Sequence, residues 1–173
     1  LYAFDIPYLK PGNLYALGVR KDVLRTNWIE YRQRLTGNPY VARGLLLNWG
    51  PWDGARSTCQ LVDTTPGSVP SGSSLRGFED SAIVLGKTFT DEVSATHITP
   101  TARGSDDGGD WIDVVVNIGS FPENRPPIFT LQASTLNVES NAPITFTAAN
   151  VVDPEGDAVS YFWDFGDGTF GDN

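Results

Sequence analysis

Gly or Pro interrupts this chain every few residues, and that punctuation limits what it can become. The 173 residues include 18 Gly and 12 Pro. Proline removes a backbone donor and glycine weakens a helix, so a folded, β-rich chain punctuated by turns is favoured. Between the interruptions lie short runs rich in Val, Ile, Leu, Thr, Tyr, Phe and Trp, which suit pleated, half-buried surfaces. The runs at residues 1–5, 14–20, 27–32, 44–49, 57–63, 81–85, 95–101 and 111–118 are therefore expected as strands of a sandwich. No segment holds a helical period, although Lys21 to Arg25 fits a single turn.

Alternation assigns faces within these runs. In Trp28-Ile29-Glu30-Tyr31-Arg32, the side chains of Ile29 and Tyr31 share one face and those of Trp28, Glu30 and Arg32 the other. Trp111-Ile112-Asp113-Val114-Val115-Val116 is apolar on both faces near its end, which predicts a central strand covered on both sides. Residues 66–77, dense in Gly, Ser and Pro, are expected as a long exposed loop. Ser105-Asp106-Asp107-Gly108-Gly109-Asp110 predicts a hairpin turn, with calcium as the sharper reading of its acids.

Charge divides the chain. All twelve basic residues lie between Lys10 and Arg125 beside fourteen acids, whereas residues 126–173 carry seven acids and no base. The net charge of -9 argues against nucleic acid or an anionic membrane surface as partner. No apolar run approaches the ~20 residues that cross a bilayer, so membrane insertion is not expected either. The prolines of Phe121-Pro122-Glu123-Asn124-Arg125-Pro126-Pro127 read as a stiff connector between two units, 1–125 and 126–173. Beyond it, residues 128–131, 143–148 and 158–164 are further strand candidates. The chain contains no Met, which suggests a processed product or an excised piece of a longer protein.

Asp153-Pro154-Glu155-Gly156-Asp157, followed by Val159-Ser160-Tyr161-Phe162-Trp163-Asp164-Phe165-Gly166-Asp167-Gly168-Thr169, resembles the signature of a PKD (polycystic kidney disease) domain. The resemblance covers residues 124–173, about half of such a domain. It implies an immunoglobulin-like β-sandwich of the kind found in secreted bacterial enzymes and cell-surface proteins. Trp163, with Phe165 or Tyr161, would supply core and flanking aromatics, and Gly166-Asp167-Gly168 the turn that follows. It further implies calcium at Asn124, Asp153 and Glu155, where Glu155 departs from the more usual Asp. The residues alone allow the same reading, because Asp153, Glu155 and Asp157 offer hard oxygens across a tight turn. A solvated acidic turn is the alternative.

Residues 14–119 also resemble the β-rich region that follows the zinc domain in secreted gametolysin-like and immune-inhibitor-A-like metallopeptidases. The likeness rests on the order of Trp28-Ile29-Glu30-Tyr31-Arg32-Gln33, Gly44-Leu45-Leu46-Leu47, the Gln60 to Ser68 run and the Leu85 to Asp91 run. A zincin needs two His four residues apart with a Glu between them. This chain has one, His97, in a strand-like run where a hydrogen-bonded structural role is expected, so neither zinc nor catalysis is expected. Cys59 is expected as an inert, packed thiol. Trp49 and Trp52, flanking a Gly-Pro turn, could stack on sugar rings or a peptide, or simply close the sandwich.

The sequence thus predicts an all-β protein: a jelly-roll-like antiparallel sandwich, then the first strands of an immunoglobulin-like PKD domain. The expected function is a non-catalytic accessory region of a secreted metallopeptidase-like protein, docking on a catalytic domain or holding a protein or polysaccharide substrate. An adhesin or filament subunit that self-associates through an open PKD edge, and a carbohydrate-binding module, are the rival readings. An extracellular or cell-surface location suits all three.

Overall fold

The computed structural model describes residues 1–34, 38–50, 59–68, 80–120, 125–167 and 169–172. Twelve antiparallel strands and one 3-10 turn make up the regular structure among them. The all-β expectation therefore holds. Packing divides the chain into Leu1–Phe121 together with Ser160–Asn173, and Pro122–Val159.

In the first unit, β1 (Ala16–Arg20), β2 (Thr26–Tyr31) and β3 (Gly44–Gly50) form a meander. Both β4 (Gln60–Leu61) and β5 (Ile83–Val84) pair with β3. The predicted alternation sets the register: Ile29 stands opposite Leu17 on β1 and Leu47 on β3, and Tyr31 opposite Leu45. Ile29 and Tyr31 are buried, whereas Trp28 remains exposed. β3 is apolar on both sides through Leu45, Leu46 and Leu47, all buried, as suits the middle strand of its sheet.

A second meander joins β6 (Phe89–Asp91), β7 (Thr96–Asp106) and β8 (Gly109–Ile118). Asp106 pairs with Gly109, whose φ of +120° is open to glycine at little cost, so the predicted hairpin forms. The Asp106 carboxylate is engaged by the Gly108 backbone N–H and the Tyr2 hydroxyl. Register shifts between Pro100 and Ala102, where proline cannot donate to the ladder.

The expectation that residues 111–116 form a fully covered central strand fails. Among the described residues, β8 pairs on one side with β7, and on the other meets only the Tyr2 bridge to Trp111 and its flanking hydrogen bonds. Its Val115 and Ile118 side chains are exposed. Valines on both faces identify a good strand former without identifying what covers it. The run at residues 1–5 likewise contributes a bridge rather than a strand.

Ile29, Leu45, Leu47, Ile98 and Ile112 are wholly buried in one apolar cluster, with Ile83 and Leu85. Full burial of each large side chain contributes about 1.5–3 kcal/mol. The same unit contains the hairpin of β11 (Phe162–Asp164) and β12 (Phe170–Asp172). Phe162 packs against the cluster, while Phe165 is exposed. Of the aromatics offered by the sequence, Trp163 with Phe165 or Tyr161, Trp163 and Tyr161 are half-buried and Phe165 is not.

The second unit is built on β9 (Ile128–Ala133) and β10 (Phe146–Val152), with a register shift between Ala149 and Val152. Asn150 lies there at φ +54°, a left-handed conformation that Asn tolerates better than most residues. Ile128, Phe129, Leu131, Leu136 and Val152 each remain more than half exposed.

Candidate functional site

The acidic turn that follows β10 is organised around Asp153. Its Oδ1 accepts the backbone N–H groups of Glu155 at 2.9 Å and Asp157 at 3.0 Å, and Gly156 supplies the positive φ needed to close the turn. The Glu155 carboxylate is engaged by Arg125, which donates its Nε–H at 2.7 Å and its backbone N–H at 3.2 Å. A cation entering here would have to displace that guanidinium. Among the described residues, no three His, Cys, Asp or Glu side chains are gathered as a metal site requires. Asn124, the remaining expected ligand, lies outside the described residues.

Trp49 is on β3, half-buried, with the Lys21 ammonium 4.6 Å and the Arg25 guanidinium 5.3 Å from its ring centroid. Both cations come from the β1–β2 turn, the segment in which the sequence suggests a single helical turn. There Asp22 accepts the Leu24 and Arg25 backbone N–H groups and the Arg25 Nε–H. These bonds, the Leu24 N–H foremost, hold the Asp22 carboxyl at about 2. Lys21 also forms a buried ion pair with Asp91 on β6. Two cations thus already lie within cation–π range of Trp49. Trp52 lies outside the described residues.

His97 occupies β7, buried, between two partners. Its Nε2–H donates to the Gly119 carbonyl at 3.1 Å, which leaves Nδ1 to accept from the Thr90 hydroxyl at 3.0 Å. This is the structural role expected of a strand histidine. Cys59, expected to pack, is instead exposed.

A further cluster of charged and aromatic side chains joins Phe162 and Asp164 of the C-terminal signature to residues that carry no motif of their own. A 3-10 turn, Val41–Arg43, leads into β3 and buries the Arg43 side chain. Gly44 follows because β5 crosses closely: a Cβ there would stand 1.9 Å from the Ile83 carbonyl oxygen. Arg43 donates from Nη1 to Asp164 Oδ2 at 2.7 Å, and its guanidinium lies 4.3 Å from the Tyr40 ring centroid. Arg103 stands 4.7 Å from the ring of Phe170, which stacks on Phe162 with centroids 5.7 Å apart. Tyr40, Arg43, Asp80, Lys87, Phe162 and Asp164 border a cavity of about 370 Å³. Its members come from residues as distant as 40 and 164, so no local spacing could have revealed them.

Residues 124–173 match the PKD domain family.

No curated protein and no solved structure matches the chain. The likeness of residues 14–119 to a metallopeptidase region therefore rests on sequence order alone. PKD domains are typically extracellular modules of accessory or adhesion type, and the matched segment points to such a setting. No helix among the described residues is long and apolar enough to cross a membrane. The PKD match includes Ser160 to Asn173, which pack with the first unit, so the β11–β12 half of the signature lies beside Arg43 and Arg103.

Proposed function

We propose that the chain is a non-catalytic accessory region of a secreted metallopeptidase-like protein, which docks on the catalytic domain or holds a protein or polysaccharide substrate. The observation that carries this reading is the PKD match at residues 124–173, joined in one chain to an antiparallel β unit with its own buried core. The order of sequence runs across residues 14–119 supports the metallopeptidase setting. The test is the intact mass and N-terminal sequence of the native polypeptide. A mass well above the 18.8 kDa of this chain, with an upstream pair of zinc-binding histidines around a Glu, is expected. A native mass near 18.8 kDa would remove the parent enzyme.

The exposed side chains of the β9–β10 hairpin favour a second reading, an adhesin or filament subunit. Ile128, Phe129 and Leu131 on β9 and Val152 on β10 leave apolar surface uncovered, and a two-stranded ribbon can accept a further strand at either edge. Light scattering separates the two readings: a subunit grows in mass with concentration, and an accessory region stays monomeric.

A further inference from the structure

We propose that the cavity beside Arg43 binds a neutral, polyhydroxylated ring of pyranose size. This stands apart from the accessory reading, since such a pocket would serve in either setting. At about 370 Å³ the cavity is near the lower end of ligand sites, enough for one ring and its substituents. Its charges cancel by residue type, with Arg43 and Lys87 against Asp80 and Asp164, and Arg43 is already bonded to Asp164 at 2.7 Å. A charged ligand would upset that balance, whereas a neutral one leaves it intact.

Two buried polar atoms on the lining residues have no hydrogen-bond partner among the described residues: the Nε of Arg43, a donor, and the Oδ1 of Asp80, an acceptor. Arg43 is itself nine-tenths buried, with its side chain 9% exposed. A sugar hydroxyl both accepts and donates, and neighbouring hydroxyls can serve both atoms, each of which is covered, once the Arg43 and Asp80 side chains rotate toward the ligand. Ala82, Val84 and Phe162 supply apolar wall for the C–H faces of such a ring. The site is distinct from Trp49, which is not part of the lining.

Saturation-transfer NMR on the full chain tests this, with methyl β-glucopyranoside as probe. Two competitors accompany it: the corresponding glucuronide, which adds one carboxylate to the same ring, and a blocked glycine dipeptide. Transfer to the glucoside is expected, with about tenfold loss of affinity in Asp80→Asn and in Val84→Phe, which fills the cavity. Val93→Ala, at an exposed residue outside the lining, should bind as the parent does. Thermal melts of each variant separate lost binding from lost folding, and methyl β-glucopyranoside should protect the parent chain from heat more than Asp80→Asn at the same concentration. The proposal is overturned by absent transfer to the glucoside, by equal transfer in folded Asp80→Asn and Val84→Phe, or by tighter binding of the glucuronide or the dipeptide.

Discussion

Arg43 and Asp164 stand 121 positions apart in sequence, yet their side chains form an ion pair of 2.7 Å. The Arg43 side chain is 9% exposed and that of Asp164 46% exposed, so the two partners differ in what they lose when separated. Asp164→Asn leaves a buried guanidinium without its counter-charge and should destabilise the first unit by about 1–3 kcal/mol. In a double-mutant cycle with Arg43→Met, the combined loss should fall short of the sum of the single losses. Urea denaturation of the four proteins measures the coupling.

Gly44→Ala should be the most damaging small substitution in the first unit. The backbone there is extended, with φ of -169°, so the conflict is one of space. The added methyl would lie 1.9 Å from the Ile83 carbonyl oxygen, a backbone atom that cannot swing aside. The β3–β5 pairing must open, at a cost beyond the ordinary ~1 kcal/mol of a point substitution. Hydrogen exchange at Leu45 and Ile83 should accelerate in this variant.

Truncating the core and the exposed hairpin should have opposite consequences. Ile98→Ala and Ile112→Ala remove wholly buried side chains and should each cost about 2–5 kcal/mol. Leu136→Ala changes a residue 91% exposed and should stay within about 0.5 kcal/mol. Chemical denaturation midpoints check both.

Acid should weaken the first unit through depressed carboxyls: Asp22, Asp91 and Asp167, the last lowered by hydrogen bonds from Thr169. Asp22 is held at about 2, first by the Leu24 N–H and then by Arg25. For Asp91, burial pushes the carboxyl up, but hydrogen bonds from Lys21 and Ser94 and the Lys21 charge outweigh it, and the net shift is downward. A depressed folded value contributes stability that is complete above the unfolded value of 3.8 and is lost as pH falls through the folded one. Melting temperature should therefore decline from pH 3.8 toward 2, and Asp91→Asn should flatten that decline.

Calcium at the acidic turn must compete with Arg125 for Glu155. Arg125→Ala frees the carboxylate, so millimolar calcium, the working range of extracellular sites, should raise the melting temperature of this variant more than that of the parent. No shift in either protein would remove the turn as a calcium site.

What the sequence made legible was local. Alternation put Ile29 and Tyr31 on one face, which is the buried one, and Asp107-Gly108-Gly109 predicted the β7–β8 turn. Strand β6 escaped notice because Phe89-Thr90-Asp91 is only three residues long, and β12 because Phe170 lies just beyond the turn that draws attention. The Arg43 cavity was illegible for a different reason. An arginine at the end of a 3-10 turn carries no local mark of burial, and its partner Asp164 enters only when β11 packs into the first unit. The acidic turn showed the reverse: its carboxylates were evident, but the engagement of Glu155 by Arg125 depends on tertiary approach.

The central structural claim is that the β11–β12 hairpin packs with the first unit through Arg43 and Arg103. Nuclear Overhauser contacts from the Phe170 ring in the full chain test it most directly. The account predicts cross-peaks to the Arg103 side chain, whose guanidinium stands 4.7 Å from the ring centroid, and to the stacked Phe162. Cross-peaks to Phe162 alone, with none to Arg103 or Arg43, would show a hairpin detached from the unit and would contradict the account.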